Sequence, residues 1–174
     1  PWAEFRSTKG AIKLHVSLDH EGLMPAFLSV TDGKKADIDV ARSLSFPKKS
    51  IVVCDCGYND YSWYKQLTQR DIFFVTRLKS NADYRIVERR PVDPSHGLRC
   101  DHTIVFTGNA AKNNCDIPLR RVHYKDPETK IDYEFLTNNF QLSAKTIADI
   151  YKARSSAGMH EVGQRRTQLP RQIE

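Results

Sequence analysis

The chain has 174 residues, 40% of them hydrophobic and 28% charged, a composition that excludes disordered and fibrous classes and allows a domain with a real core. No apolar run approaches the roughly 20 residues that span a bilayer, and no signal peptide precedes Pro1-Trp-Ala-Glu, so a cytosolic chain cut from something longer is expected. The 27 Lys and Arg against 21 Asp and Glu leave +6, which favours a polyanionic partner without defining one.

Residues 11–19 alternate, with Ile12, Leu14, Val16 and Leu18 on one face and Lys13, His15 and Ser17 on the other, the pattern of a half-buried strand. A turn at His20-Glu-Gly-Leu and a returning strand over 24–31 complete a hairpin, with Pro25 suited to a strand's start. A short helix is predicted over 37–44. Ile51, Val52 and Val53 then form a β-branched triplet, the mark of a strand buried on both faces at the centre of a sheet. Asp55 falls at its carboxyl end, where chemistry collects in open α/β sheets, and Gly57 permits a sharp turn. Asp55 is therefore either a catalytic carboxylate or a turn cap. A helix capped by Asn59 or Asp60 follows, with Tyr61, Tyr64 and Leu67 at helical spacing, and then a strand over 72–78.

From 80 to 140 the texture changes to short β-like runs (84–89, 103–106, 119–124, 132–136) between turn-rich segments, which reads as a separate β-rich insertion. Ser143 caps a helix over 144–154 with Ile147, Ile150 and Tyr151 on one stripe. Residues 155–171, polar and basic with Gly and Pro, read as loop, linker or foreign sequence without order, so that 155–174 form an atypical, disordered tail after a domain over 1–154. Of the four cysteines, Cys54 and Cys56 share one strand face and Cys100 lies near His102, but the spacing matches no common zinc module, so reduced thiols are the default. His15 reads as a surface hydrogen-bonding residue, and Trp63 and Tyr64 as core or half-core.

These pieces together resemble a known family. Lys9-Gly-Ala-Ile-Lys-Leu-His-Val-Ser-Leu-Asp, Thr31-Asp-Gly, Val52-Val-Cys-Asp-Cys-Gly-Tyr, Phe74-Val-Thr-Arg-Leu-Lys and Tyr151-Lys-Ala-Arg resemble the catalytic domain of insertion-sequence-four-type DDE transposases over residues 1–154. The resemblance implies an α/β, ribonuclease H-like mixed sheet flanked by helices, with a β-rich insertion after the second catalytic Asp. It implies a chemistry in which two Asp and one Glu hold two Mg²⁺ (or Mn²⁺) ions for DNA strand cleavage and transfer. Asp55 matches the second Asp. Tyr151 and Arg154 match a Tyr-x-x-Arg signature that positions DNA ends, and Arg77 and Lys79 are further candidates for phosphate contact. The implied partner is double-stranded DNA at transposon ends, with a homodimer as one arrangement, no membrane, and a cytoplasmic, nucleoid-associated bacterial setting.

Two departures accompany this. The strand for the first Asp would precede Pro1, and Asp19, at a turn, does not replace it. The signature's Glu is expected four residues after Arg154, where Gly158 stands; Gln172-Ile-Glu174 lies beyond the intervening 155–171. On a continuous helix that displacement turns the Glu by about 160°, onto the wrong face. Glu174 is thus a catalytic and metal-binding candidate only if 155–171 loops out. The expectation is a transposase fragment with metal weakly bound or absent. A catalytically incomplete nucleic-acid-binding remnant is the alternative, and an unrelated protein–protein module a third class.

Overall fold

The alternating residues near the start form strand β1 (Ile12–Leu18), antiparallel to β2 (Pro25–Asp32), with Leu14 opposite Val30 and Val16 opposite Leu28. The computed structural model describes the backbone of residues 12–18, 25–32 and 37–156, with side chains for 38–109 and 111–153. The expected turn at 20–23, Asp19, the tail beyond 156 and Glu174 lie outside the described residues. Helix α1 (Asp37–Ser43) follows the hairpin. Two compact units are distinguished: the hairpin and α1 belong to the first, and residues 44–156 form the second.

The second unit is built on one six-stranded sheet. In chain order it contains β3 (Ile51–Val53), helix α2 (Tyr61–Gln69), β4 (Phe73–Arg77), β5 (Tyr84–Arg90), β6 (Leu98–Phe106), the short helix α3 (Asn109–Asn114), β7 (Leu119–Lys125), β8 (Asp132–Thr137) and helix α4 (Ala144–Ser156). The spatial order is β3-β4-β8-β7-β6-β5; β3 and β4 are parallel and the other pairs antiparallel. This is the mixed α/β sheet with flanking helices that the sequence predicts.

Two expectations are corrected. The triplet Ile51–Val53 is not central: among the described residues β3 bonds only to β4 and forms a sheet edge, which leaves Ile51 36% exposed. Its apolar character comes from the face turned to the core, not from burial on both faces. The β-rich stretch after residue 80 does not stand apart either, because β8 pairs with β4 through Val75 opposite Thr137 and draws β5 to β8 into the same sheet.

Alternation along the inner strands sends their side chains to two covered faces. On one, Val75, Val122, Tyr124 and Phe135 pack under Ala144, Ile147, Ala148 and Tyr151 of α4, all buried. Burying Ile147 and Phe135 fully contributes roughly 1.5–3 kcal/mol each. On the other face Tyr64 of α2 stacks on Phe74, centroids 4.6 Å apart, and Tyr61 meets Phe106 edge-on at 4.7 Å. Trp63 and Tyr64 are accordingly core residues. The α2 cap is Asp60, whose carboxylate accepts from Trp63 N at 2.8 Å; α4 begins at Ser143, whose hydroxyl accepts from Thr146 N at 3.0 Å.

Between β8 and α4 the chain is held by a buried Arg120. Its guanidinium donates to both Asp101 carboxylate oxygens, at 2.9 and 2.6 Å, and to the carbonyls of Asn139 and Leu142. That fixes where α4 starts, and so where its last turns arrive. Among the described glycines the left-handed one is Gly97 (φ +82°), where an added Cβ would lie 2.4 Å from the Lys125 carbonyl oxygen. Gly57, expected to supply a special turn, does so without a positive φ.

Candidate functional site

The site assembles at the carboxyl end of β3 and β4. After Val53 the chain leaves β3, and Asp55 caps a single 3₁₀ turn over Cys56–Tyr58. Its Oδ1 accepts from Cys56 N at 2.6 Å, and its carbonyl accepts from Tyr58 N at 3.0 Å. The capping role therefore holds, but it is not the whole of it. The Tyr151 hydroxyl, from α4 and 96 residues away, donates to the same Oδ1 at 3.4 Å. Two stretches that resemble separate motifs of one family thus meet in space.

The parity of the strands explains why. Val53 is opposite Val75 in the β3–β4 register, both on the α4 face, so Asp55 and Arg77, each two residues further on, stand on that face too. Ile147 and Tyr151 are one turn apart, so the stripe that anchors α4 ends with the phenol at Asp55. Tyr151 is 3% exposed and tilts on Phe135 at 4.9 Å and Tyr133 at 6.3 Å. The Arg77 guanidinium lies 5.9 Å from the Tyr133 ring centroid, a cation–π distance. Arg77, Tyr133, Tyr151 and Asp55 form a connected series from exposed cation to half-buried carboxylate.

A second set of contacts sets the position of the turn. The Asn59 amide donates to the Arg77 carbonyl at 3.2 Å, and its oxygen accepts from Thr76 Oγ1 at 3.3 Å and from the Tyr64 hydroxyl. Burial pushes the Tyr64 phenol strongly up, so it stays a proton donor. The Cys56 thiol donates to the Arg77 carbonyl at 3.8 Å. Burial chiefly raises its pKa; the positive charges of Arg77 and Lys79 oppose this, and Asp55 adds to it. Both cations are thus electrostatically felt at the Asp55 turn, and Cys56 is kept a neutral thiol.

Of the residues singled out in the sequence, Asp55 and Tyr151 are in contact and Arg77 joins them through Tyr133, while Lys79 is exposed just past β4. Arg154 lies in α4 three residues after Tyr151, but its side chain, like all of Glu174, is outside the described residues. Sequence reasoning missed Tyr133 and the bridging role of Asn59. The alternation of Tyr133 with Phe135 was the available signal for the first; nothing local marked the second. Among the described residues no three His, Cys, Asp or Glu side chains group to hold a metal ion. Asp55 has the hard oxygen donors that Mg²⁺ or Mn²⁺ prefers, so it fits one ligand position, and the described residues do not complete a set.

A mixed sheet with flanking helices, a carboxylate at a strand's end and an aromatic hydroxyl on it define an α/β domain. The chain matches the family described as the Transposase DDE domain over residues 4–157, and it belongs to that family. It is 30% identical over 158 residues to "Putative transposase y4zB" of Sinorhizobium fredii (strain NBRC 101917 / NGR234), covering 88% of this chain and 44% of that one. It is 26% identical over 156 residues to "Probable transposase for insertion sequence element IS5377" of Geobacillus stearothermophilus, covering 88% of this chain and 40% of that one. The chain therefore spans less than half the length of these two relatives. Among the described residues no helix is long and apolar enough to cross a membrane.

Proposed function

We propose that this chain is part of a DNA transposase of the insertion-sequence-four type and acts on double-stranded DNA at transposon ends. The observation that carries the reading is the contact between Asp55 at the end of β3 and Tyr151 of α4. Family membership supports it, since DDE transposase domains in general use divalent metal ions on DNA. A divalent ion held at Asp55 would polarise a phosphodiester oxygen and stabilise charge in an in-line displacement.

The chain's own residues have definite parts in this reading. Asp55 offers oxygens to the metal while its bond from Cys56 N fixes the carboxylate's rotamer. The Tyr151 hydroxyl orients that carboxylate and stands beside an approaching DNA end. Arg77 and Lys79, exposed on the rim, and Arg154, one helical turn beyond Tyr151, hold phosphates by charge-assisted hydrogen bonds. Glu174 is the second proposed metal ligand, brought in only if the segment before it loops out. The alternative reading is a catalytically incomplete, nucleic-acid-binding remnant of a transposase.

A strand-nicking assay on a transposon-end duplex with Mg²⁺ or Mn²⁺ tests this. The 174-residue chain is expected to bind the duplex without nicking it. Nicking that survives Asp55→Ala would show the site to be elsewhere, and nicking that Asp55→Ala abolishes would show that Glu174 or another carboxylate completes the set.

A further inference from the structure

Strand β5, Tyr-Arg-Ile-Val-Glu-Arg-Arg, forms the other edge of the six-stranded sheet, and no described strand pairs with its outer side. Its one carboxylate is already engaged: Glu88 accepts from Arg90 Nη2 at 2.6 Å and from Thr103 Oγ1 at 2.8 Å. Arg90 also reaches Asp101 at 3.2 Å. Arg85 and Arg89 are exposed and take part in none of the described ion pairs, and the same holds for exposed Arg99 on β6.

The register places these three groups. Arg85 lies opposite Val105 and Arg89 opposite His102, with a β-bulge between Ile86 and Glu88. The bulge changes the strand's parity, so the two arginines emerge on opposite sides of the edge, roughly 13 Å apart for four residues. Arg99 sits at a second irregularity, between Leu98 and Cys100, just beyond the end of the β5–β6 ladder. The positive field reaches inward too: burial, then Arg121 and Arg89, hold the His102 imidazole below its usual pKa.

We propose that the β5 edge is a second phosphate-binding surface of this chain, on which Arg85, Arg89 and Arg99 grip the backbone of duplex DNA at a distance from Asp55. The reading rests on DNA being the substrate. A charged edge resists pairing with another strand. Guanidinium forks match phosphate geometry, and backbone N–H groups on the edge that no described strand pairs donate to the same oxygens. Five strand-to-strand steps separate β3 from β5, about 24 Å across the sheet at ~4.8 Å each. At 3.4 Å per base pair that is about seven base pairs, so one duplex spans from the Asp55 turn to this edge.

The test is fluorescence anisotropy of a labelled 30-base-pair duplex with the 174-residue chain across a salt series. Arg85→Gln/Arg89→Gln/Arg99→Gln should make the slope of log K against log salt shallower by about 2–3, at ~0.9 for each phosphate no longer neutralised. Lys48→Gln/Arg70→Gln/Lys112→Gln, exposed cations off this edge with the same charge change, should alter it by less than about 1. An Arg→Lys triple at the edge, which keeps the charge and confirms an intact fold by its thermal melt, should hold the wild-type slope. Equal losses from the Gln triples, or none from the edge triple while wild type binds with a steep slope, would overturn the proposal alone. Wild-type binding that is flat with salt would overturn the DNA reading with it, and polyglutamate competing as well as duplex would assign the edge to an acidic protein instead.

Discussion

Tyr151 carries two duties on one side chain. Its ring is buried against Phe135 and Tyr133, whereas its hydroxyl reaches Asp55 at a long 3.4 Å. The packing is the larger energy. Tyr151→Ala should cost about 3–5 kcal/mol of stability, as for other buried aromatic rings, while Tyr151→Phe should stay within about 1 kcal/mol because it removes one weak hydrogen bond. Urea unfolding of both variants checks this, and a Phe variant as unstable as the Ala variant would mean that the hydroxyl is a structural anchor. At this scale the sequence was informative where local chemistry is self-contained. Asp55 at a strand's end, a cap at Asn59 or Asp60 (Asp60 in the structure), Ser143 as a cap, and the Ile147–Tyr151 stripe all follow from spacing. Asn59 offered itself only as a cap, because its bonds to Thr76, Tyr64 and Arg77 depend on strand pairing that no local pattern encodes.

Helix α4 is fastened at both ends of its length, and this positions the site. Arg120 holds the loop before it, and near its far end Lys152 bonds the Asp126 carboxylate at 2.9 Å, in the turn between β7 and β8. The bond from Lys152, with backbone N–H groups of Glu128 and Thr129, lowers the Asp126 pKa to about 2. A depressed folded-state pKa means stability that is fully present above the unfolded value of about 3.9 and lost as pH falls through about 2. The stability advantage of wild type over Lys152→Met should therefore be constant from pH 7 to about 4 and narrow between 4 and 2. Urea unfolding at four or five pH values reads it, and a gap independent of pH would contradict the pairing.

Elements were legible unevenly for physical reasons. β6 begins at Leu98, earlier than the pattern indicates, because Asp101 sits at a core-facing position that its bonds from Arg120 and Arg90 make tolerable. The helix α3, rich in Asn beside Gly108, looks like a turn, and its Ala111 and the Cys115 that follows it are buried against the unit rather than held by propensity. The β-branched triplet of β3 shows that a strand is present, but an apolar run does not say how many neighbours it has.

At the scale of the whole molecule, the sheet joins two charged features on opposite edges: the Asp55 turn beside β3, and the arginines of β5. The family was legible in the sequence because its signature residues fall in well-formed elements, and the contact of Asp55 with Tyr151 gives that resemblance a geometry. The central claim is that the carboxylate at the end of β3 is a metal ligand in a DNA-processing site. Titrating Mn²⁺ into the ¹⁵N-labelled 174-residue chain with a short duplex present tests it most directly, through paramagnetic broadening of amide signals. The signals of Asp55, Cys56 and Tyr151 should broaden first, and Asp55→Ala should abolish that localised effect. Broadening centred elsewhere on the sheet, or unchanged in Asp55→Ala, would contradict the claim.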